Sequence, residues 1–179
     1  MAAQETDNIM TNSTLSDYLV FKRTFLNDPN RPKPGGEPLT ASVSAEGRAG
    51  IRRVKIRDHQ IISDSGYKGG GSDLGPIPAE LVLAGLGGCL SHGWVMQSAL
   101  ANIDLRFLQI DVKTVPAPDG SKAPVGLEYT VRISSDASPA KIRELFSIVE
   151  EKSFVFNLLI NPVQISGTTE EITEKDEAA

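Results

Sequence analysis

The spacing of apolar and polar residues changes several times along this chain, and each change marks an element. Tyr18–Phe25 (YLVFKRTF) is aromatic and β-branched, which predicts a strand after a polar stretch, residues 1–16, expected to be disordered. Thr40–Glu46 (TASVSAE) alternates weakly and reads as a strand. In Arg53–Ile62 (RVKIRDHQII), Val54, Ile56, His59 or Gln60, and Ile62 fall at near-alternate positions; a turn starting at Asp58 makes this a hairpin. Leu105–Val115 and Gly126–Ser134 predict two further strands joined by the turn PAPDGSKAP, and Val163–Ile172 predicts a closing strand.

The helical period appears twice. Ala79–Asn102 reads AELVLAGLGGCLSHGWVMQSALAN, apolar or glycine at every position from Leu81 to Leu90, with Pro78 suited to the first turn. A helix without a polar face there is expected to be buried all round. Ser138-Pro139 is a second helix start, serine as cap and proline at the first helical position; Ile142, Leu145, Phe146 and Val149 then share a stripe to about Lys152. Val155–Ile160 reads as a final helical turn. Between these elements lie two loops, Asn27–Pro38 with four prolines and two glycines, and Ser65–Pro78 with five glycines and two prolines. Strands, long helix, strands, shorter helix, strand: the order predicts an α+β fold with a mostly antiparallel sheet.

Composition narrows the function classes. The chain has 179 residues, enough for one self-sufficient domain, and a net charge of -5, which argues against nucleic-acid or anionic-membrane partners. One cysteine rules out an intramolecular disulfide and a multi-cysteine zinc site within one chain. Two histidines and scattered carboxylates make a weak case for a metal, and no cofactor is expected. No apolar run is read as long enough to span a membrane, and the polar start is not a secretory signal, so a soluble, cytoplasmic protein with one free thiol is expected. The loop KGGGSDLGPIP could hold an anion at a helix start, yet fits neither the dinucleotide fingerprint nor the P-loop; a flexible loop is the plainer reading. No G-x-S-x-G element occurs.

The long helix carries Gly85, Gly87, Gly88 and Gly93, each costing roughly 1 kcal/mol against alanine. Two readings stand: a glycine-flawed core helix in a monomer, or a helix pressed against its mate in a dimer. Gly85, Cys89, His92 and Met96 follow at steps of four, three and four and share a face. A histidine three residues after a cysteine could take its proton, and the thiolate is the reactive form. The alternatives are an inert buried thiol and a hydrogen-bonded core histidine; His59 is read as a turn or core histidine.

Arg53–Asp64 (RVKIRDHQIISD) followed by Gly69–Cys89 (GGGSDLGPIPAELVLAGLGGC) resembles the OsmC/Ohr superfamily, and SPAKIREL and EEKSFVFNLLINPV resemble its second helix and terminal turn. The resemblance covers about residues 40–167 and divides the chain into an extension and Pro/Gly-rich linker (1–39), an OsmC-like domain (40–172) and an acidic tail (173–179). It implies an OsmC-like fold, antiparallel sheets wrapped around two long central helices in an intertwined homodimer. It also implies thiol-dependent reduction of organic hydroperoxides, a peroxiredoxin-like role in oxidative stress. The peroxidatic position falls on Cys89. The second-cysteine position falls on Ser153, so the resolving thiol is absent and an external thiol would have to reduce the oxidised sulfur. The family's glutamate position falls on Ala79, with Glu80 beside it, and its arginine loosely matches Arg48, with Arg52 and Arg53 as competitors. Two functions follow: a one-cysteine hydroperoxide reductase using Cys89, aided by Arg48 or His92, or a non-peroxidatic dimer binding a small apolar or anionic ligand at the interface cleft.

Overall fold

The computed structural model describes residues 14–33, 35–47, 50–121, 124–161 and 163–171. Its elements are α1 (Leu15–Asn27), β1 (Ser42–Glu46), β2 (Ile51–Ile56), β3 (His59–Ser63), a 3₁₀ turn (Tyr67–Gly69), α2 (Pro78–Leu100), β4 (Phe107–Val115), β5 (Gly126–Ser134), α3 (Pro139–Lys152) and α4 (Phe154–Ile160). This is an α+β fold with two antiparallel sheets, β1-β2-β3 and β4-β5.

Most elements lie where the pattern places them, with three corrections. The expected strand at Tyr18–Phe25 is part of α1. Thr14 and Asp17 close a capping box, the Thr14 hydroxyl accepting from Asp17 N–H while the Asp17 carboxylate accepts from Thr14 N–H. Leu15, Tyr18, Leu19 and Leu26 then recur at helical spacing on the core side, Leu19 fully buried. The expected strand at Val163–Ile172 does not form among the described residues 163–171: no edge pairs with them, and Ile165 is 91% exposed. The expected polar, disordered stretch 1–16 overlaps the start of α1 at Leu15, and its first thirteen residues lie outside the described ones.

The core joins α2 to α1, α3 and the inner face of β4–β5. Leu86, Leu90, Trp94, Val95 and Ala99 of α2 meet Leu19, Ile103, Leu105, Leu145 and Val149, with Leu108, Ile110, Val112, Tyr129 and Val131 packed against them. Where α2 crosses α3, a Cβ on Gly93 would come within 3.0 Å of Val149 Cγ1, so that glycine is what lets the two helices meet at this distance. The outer face of β4–β5 carries cross-strand ion pairs, Lys113–Glu128 and Arg132–Asp111.

Two surfaces stay uncovered in the single chain. The expectation that α2 is buried all round fails: Val82, Ala84, Gly85 and Gly88 are exposed, and a Cβ at Gly85 or Gly88 would meet open space. The β1–β3 sheet packs substantially on neither the helices nor β4–β5. Its register lines Val43, Val54 and Ile61 across one face, and Val43 is 62% exposed. Contrary to the expectation from sequence, α2 is long and apolar enough to cross a membrane by length and composition; Trp94, Val95, Ser98 and Ala99 of its second half are buried in the core.

Candidate functional site

The site forms where α2 passes the junction of α3 and α4. Ser153 ends the first of these helices and begins the second: its N–H donates to Glu150 O, and its side-chain oxygen accepts from Phe156 N–H at 3.4 Å. Serine suits both ends of such a junction because its short hydroxyl reaches an orphan N–H of the new helix. Asn157 braces the corner, its amide nitrogen lying 3.0, 2.9 and 2.8 Å from the carbonyl oxygens of Glu150, Glu151 and Ser153. Behind it an aromatic cluster ties four elements together. Phe146 of α3 packs on Trp94 of α2 and stacks on Tyr129 of β5, and Phe156 of α4 meets the edge of Tyr129. The Tyr129 hydroxyl donates to Glu150 Oε1; burial, together with that carboxylate, pushes the phenol's ionisation far up and keeps it a donor.

Cys89 lies against this corner. Its half-buried sulfur is 3.2 Å from Ser153 Oγ and 3.5 Å from Val155 N, both in donor position. Two donors therefore face the one sulfur. Among the described residues no charged side chain hydrogen-bonds to Cys89. A cleft of about 410 Å³ is lined by Leu86, Val125, Leu127, Tyr129, Phe156 and Ile160 among others; Cys89 itself does not line it. Leu86 is one helical turn before Cys89, and Phe156 follows Val155.

The other expected residues lie apart from the sulfur. His92 is exposed on α2 and makes no hydrogen bond to Cys89. Arg48 lies outside the described residues. Arg53 pairs with Glu46 at 2.8 Å and reaches Gln60, and Arg52 donates to Ser65 Oγ, so the hydrogen bonds of both competitors stay within β1–β3 and its loop. Glu80 accepts from Ile77 N–H at 2.9 Å and serves the start of α2, roughly 13 Å along the axis from Cys89. Ala79, at the second position of α2, offers no polar group. No three His, Cys, Asp or Glu side chains converge for a metal ion among the described residues.

The glycine-rich loop before α2 has a built interior. Asp64, fully buried, accepts from the N–H groups of Ser65, Ser72 and Leu74. The Leu74 N–H above all, then those of Ser65 and Ser72 and the Arg52 charge, hold its carboxyl below the usual range despite burial. A Cβ on Gly71 would collide with the Ser65 carbonyl, so glycine is required at that turn. Sequence reasoning did not assign Asp64, Asn157 or the Val155 N–H. The Asp64 pattern, an aspartate ahead of Gly-Gly-Gly-Ser-Asp, is a local signal, and the carbonyls that Asn157 reaches lie only four to seven residues before it; the Val155 N–H meets Cys89 only because the chain folds back over 66 residues.

Comparison with known proteins agrees with this architecture. Residues 69–167 match the family model described as OsmC-like protein. An OsmC-like protein from Mycoplasma pneumoniae superposes with a TM-score of 0.61 at 18% identity, covering 70% of this chain and 89% of that one. A putative osmotic stress induced and detoxification response protein from Psychrobacter arcticus gives 0.58 at 15% identity, over 73% and 93%. An organic hydroperoxide resistance protein OsmC from Legionella pneumophila, also described as a predicted redox protein, gives 0.53 at 13%, over 71% and 92%. No curated protein matches the chain.

Proposed function

The chain belongs to the OsmC-like proteins, and from that membership and the surroundings of Cys89 we propose that it reduces organic hydroperoxides with one cysteine and an external thiol. The observation that carries the proposal is the sulfur of Cys89 held half-buried between the Ser153 hydroxyl and the Val155 N–H. The Legionella pneumophila neighbour, an organic hydroperoxide resistance protein by name, supports the substrate class.

The thiolate of Cys89 attacks the outer peroxide oxygen. A sulfur–oxygen bond forms, the oxygen–oxygen bond breaks, and the leaving alkoxide takes a proton and departs as the alcohol. Cysteine is oxidised to sulfenic acid and the peroxide is reduced. With a single cysteine in the chain, an external thiol must close the cycle, and a reducing compartment such as the cytoplasm supplies one. The working unit in this reading is a homodimer. A second copy would cover the open Gly85–Gly88 side of α2 and the apolar row Val43, Val54 and Ile61, of which the single chain leaves Val43 and Ile61 exposed. Arg48 and His92 complete the sulfur's surroundings in this reading only if that assembly or the hydroperoxide brings them in.

The test is sulfenic acid formation on mixing with cumene hydroperoxide, trapped with dimedone. The proposal expects one trapped equivalent per chain, absent in Cys89→Ser; no trapping above that of free cysteine contradicts it. The apolar cleft lined by Leu86, Tyr129 and Phe156 favours a second reading, a dimer that binds an apolar ligand without oxidising it. That reading expects saturable binding of a fatty-acid-type probe by both the wild type and Cys89→Ser, with no sulfenic acid.

A further inference from the structure

Ser153 stands where a second thiol would, and its hydroxyl has one place to send its proton. Phe156 N–H already donates to Ser153 Oγ, so a lone pair is committed to the start of α4. Of the described groups, the Cys89 sulfur at 3.2 Å is the acceptor that the O–H reaches. Ser153 is 97% buried, since only 3% of its surface is exposed, so water does not compete for that hydrogen bond. Val155 N–H adds a second donor to the same sulfur.

We infer that Ser153 is a catalytic residue of this site, the hydroxyl donor that stabilises the Cys89 thiolate before oxidation and the sulfenate oxygen after it. The inference rests on the peroxidase reading for its second half and on geometry alone for its first. An alcohol cannot reduce a sulfenic acid, so replacing the thiol by a hydroxyl turns the partner of the sulfur from a reductant into a hydrogen-bond donor. The oxidised sulfur is then held until a low-molecular-weight thiol arrives. Its sulfur attacks Cys89 Sγ, the sulfenic oxygen leaves as water, and a mixed disulfide forms. A second thiol takes the first away as a small disulfide and returns Cys89 to the thiol.

A merely structural Ser153 would cap α4 and do no more, and the two roles separate on substitution. Glycine caps a helix nearly as well as serine but has no hydroxyl, whereas threonine keeps both functions. The experiment measures, for full-length wild type, Ser153→Gly and Ser153→Thr, the pH profile of Cys89 alkylation by iodoacetamide and the rate of reaction with cumene hydroperoxide. A hydrogen bond to a charged group predicts that glycine moves the alkylation profile up by about one pH unit and slows oxidation about tenfold at neutral pH. Threonine restores both. Melting temperatures within a few degrees of one another verify that all three are folded. Superimposable profiles for wild type and Ser153→Gly overturn the inference. A shifted profile in a protein whose wild type does not react with the hydroperoxide keeps the donor role and discards the peroxidase reading.

Discussion

The hydroxyl of Ser153 and the thiol of Cys89 lie 3.2 Å apart although 64 residues separate them in the chain. That proximity gives a direct prediction. In Ser153→Cys the two sulfurs are within easy reach of a disulfide. One equivalent of hydroperoxide should remove both titratable thiols and lower the intact mass by two hydrogens, reversibly with dithiothreitol. Two thiols still titratable after oxidation would show that the corner is not as close as described.

Asn157 holds the corner on which Ser153 sits. Asn157→Ala removes an amide within reach of three carbonyls at the end of α3 and should cost about 1–3 kcal/mol of stability, read from urea denaturation. Because Val155 and Ser153 lose their fixed positions, Cys89 alkylation at neutral pH should slow in the same variant. Unchanged reactivity would separate the brace from the site.

The glycines of α2 divide by what faces them. Gly93 lies against Val149, so Gly93→Leu overpacks the core and should cost on the order of 1–3 kcal/mol or more in any assembly state. Gly85 and Gly88 face open space in the single chain, so Gly88→Leu should leave the protomer folded and shift sedimentation from dimer to monomer. A monomeric wild type at micromolar concentration would contradict the assembly.

Asp64 predicts a pH dependence. Its carboxyl is held below the usual range by the N–H groups of Leu74, Ser65 and Ser72 and by Arg52. A group depressed on folding contributes stability above its unfolded value; the contribution shrinks as pH falls through the folded value. The melting-temperature difference between wild type and Asp64→Asn should therefore be constant above about pH 5 and narrow below about pH 4. A difference that is flat through the acid range would mean that the ionised carboxylate does not hold the loop.

Much of the fold was legible because its elements are locally encoded. Pro78 and the Leu81–Leu90 run announce α2, and Ser138-Pro139 announces α3 with the cap that forms. The hairpin of β2 and β3 turns at Arg57-Asp58, beside the residue expected to start it. The first helix was missed because Val20, Phe21 and Phe25 favour strands individually, while Thr14-x-x-Asp17, a capping signal in plain view, outweighs them. Val163–Ile172 has the apolar content of a strand, but a strand exists only with a neighbour, which local pattern cannot supply. The same limit applies to the site. Cys89 and Ser153 were legible through family resemblance; their contact depends on how α2, α3 and α4 pack. The open side of α2 was read as buried because an apolar sequence does not say whose surface buries it.

The central claim is that Cys89 is a peroxidatic thiol, and the rate of its oxidation tests that most directly. Wild-type protein mixed with cumene hydroperoxide at neutral pH should form one sulfenic acid per chain far faster than free cysteine does, and Cys89→Ser should form none. A wild-type rate equal to that of free cysteine at the same pH would contradict the account.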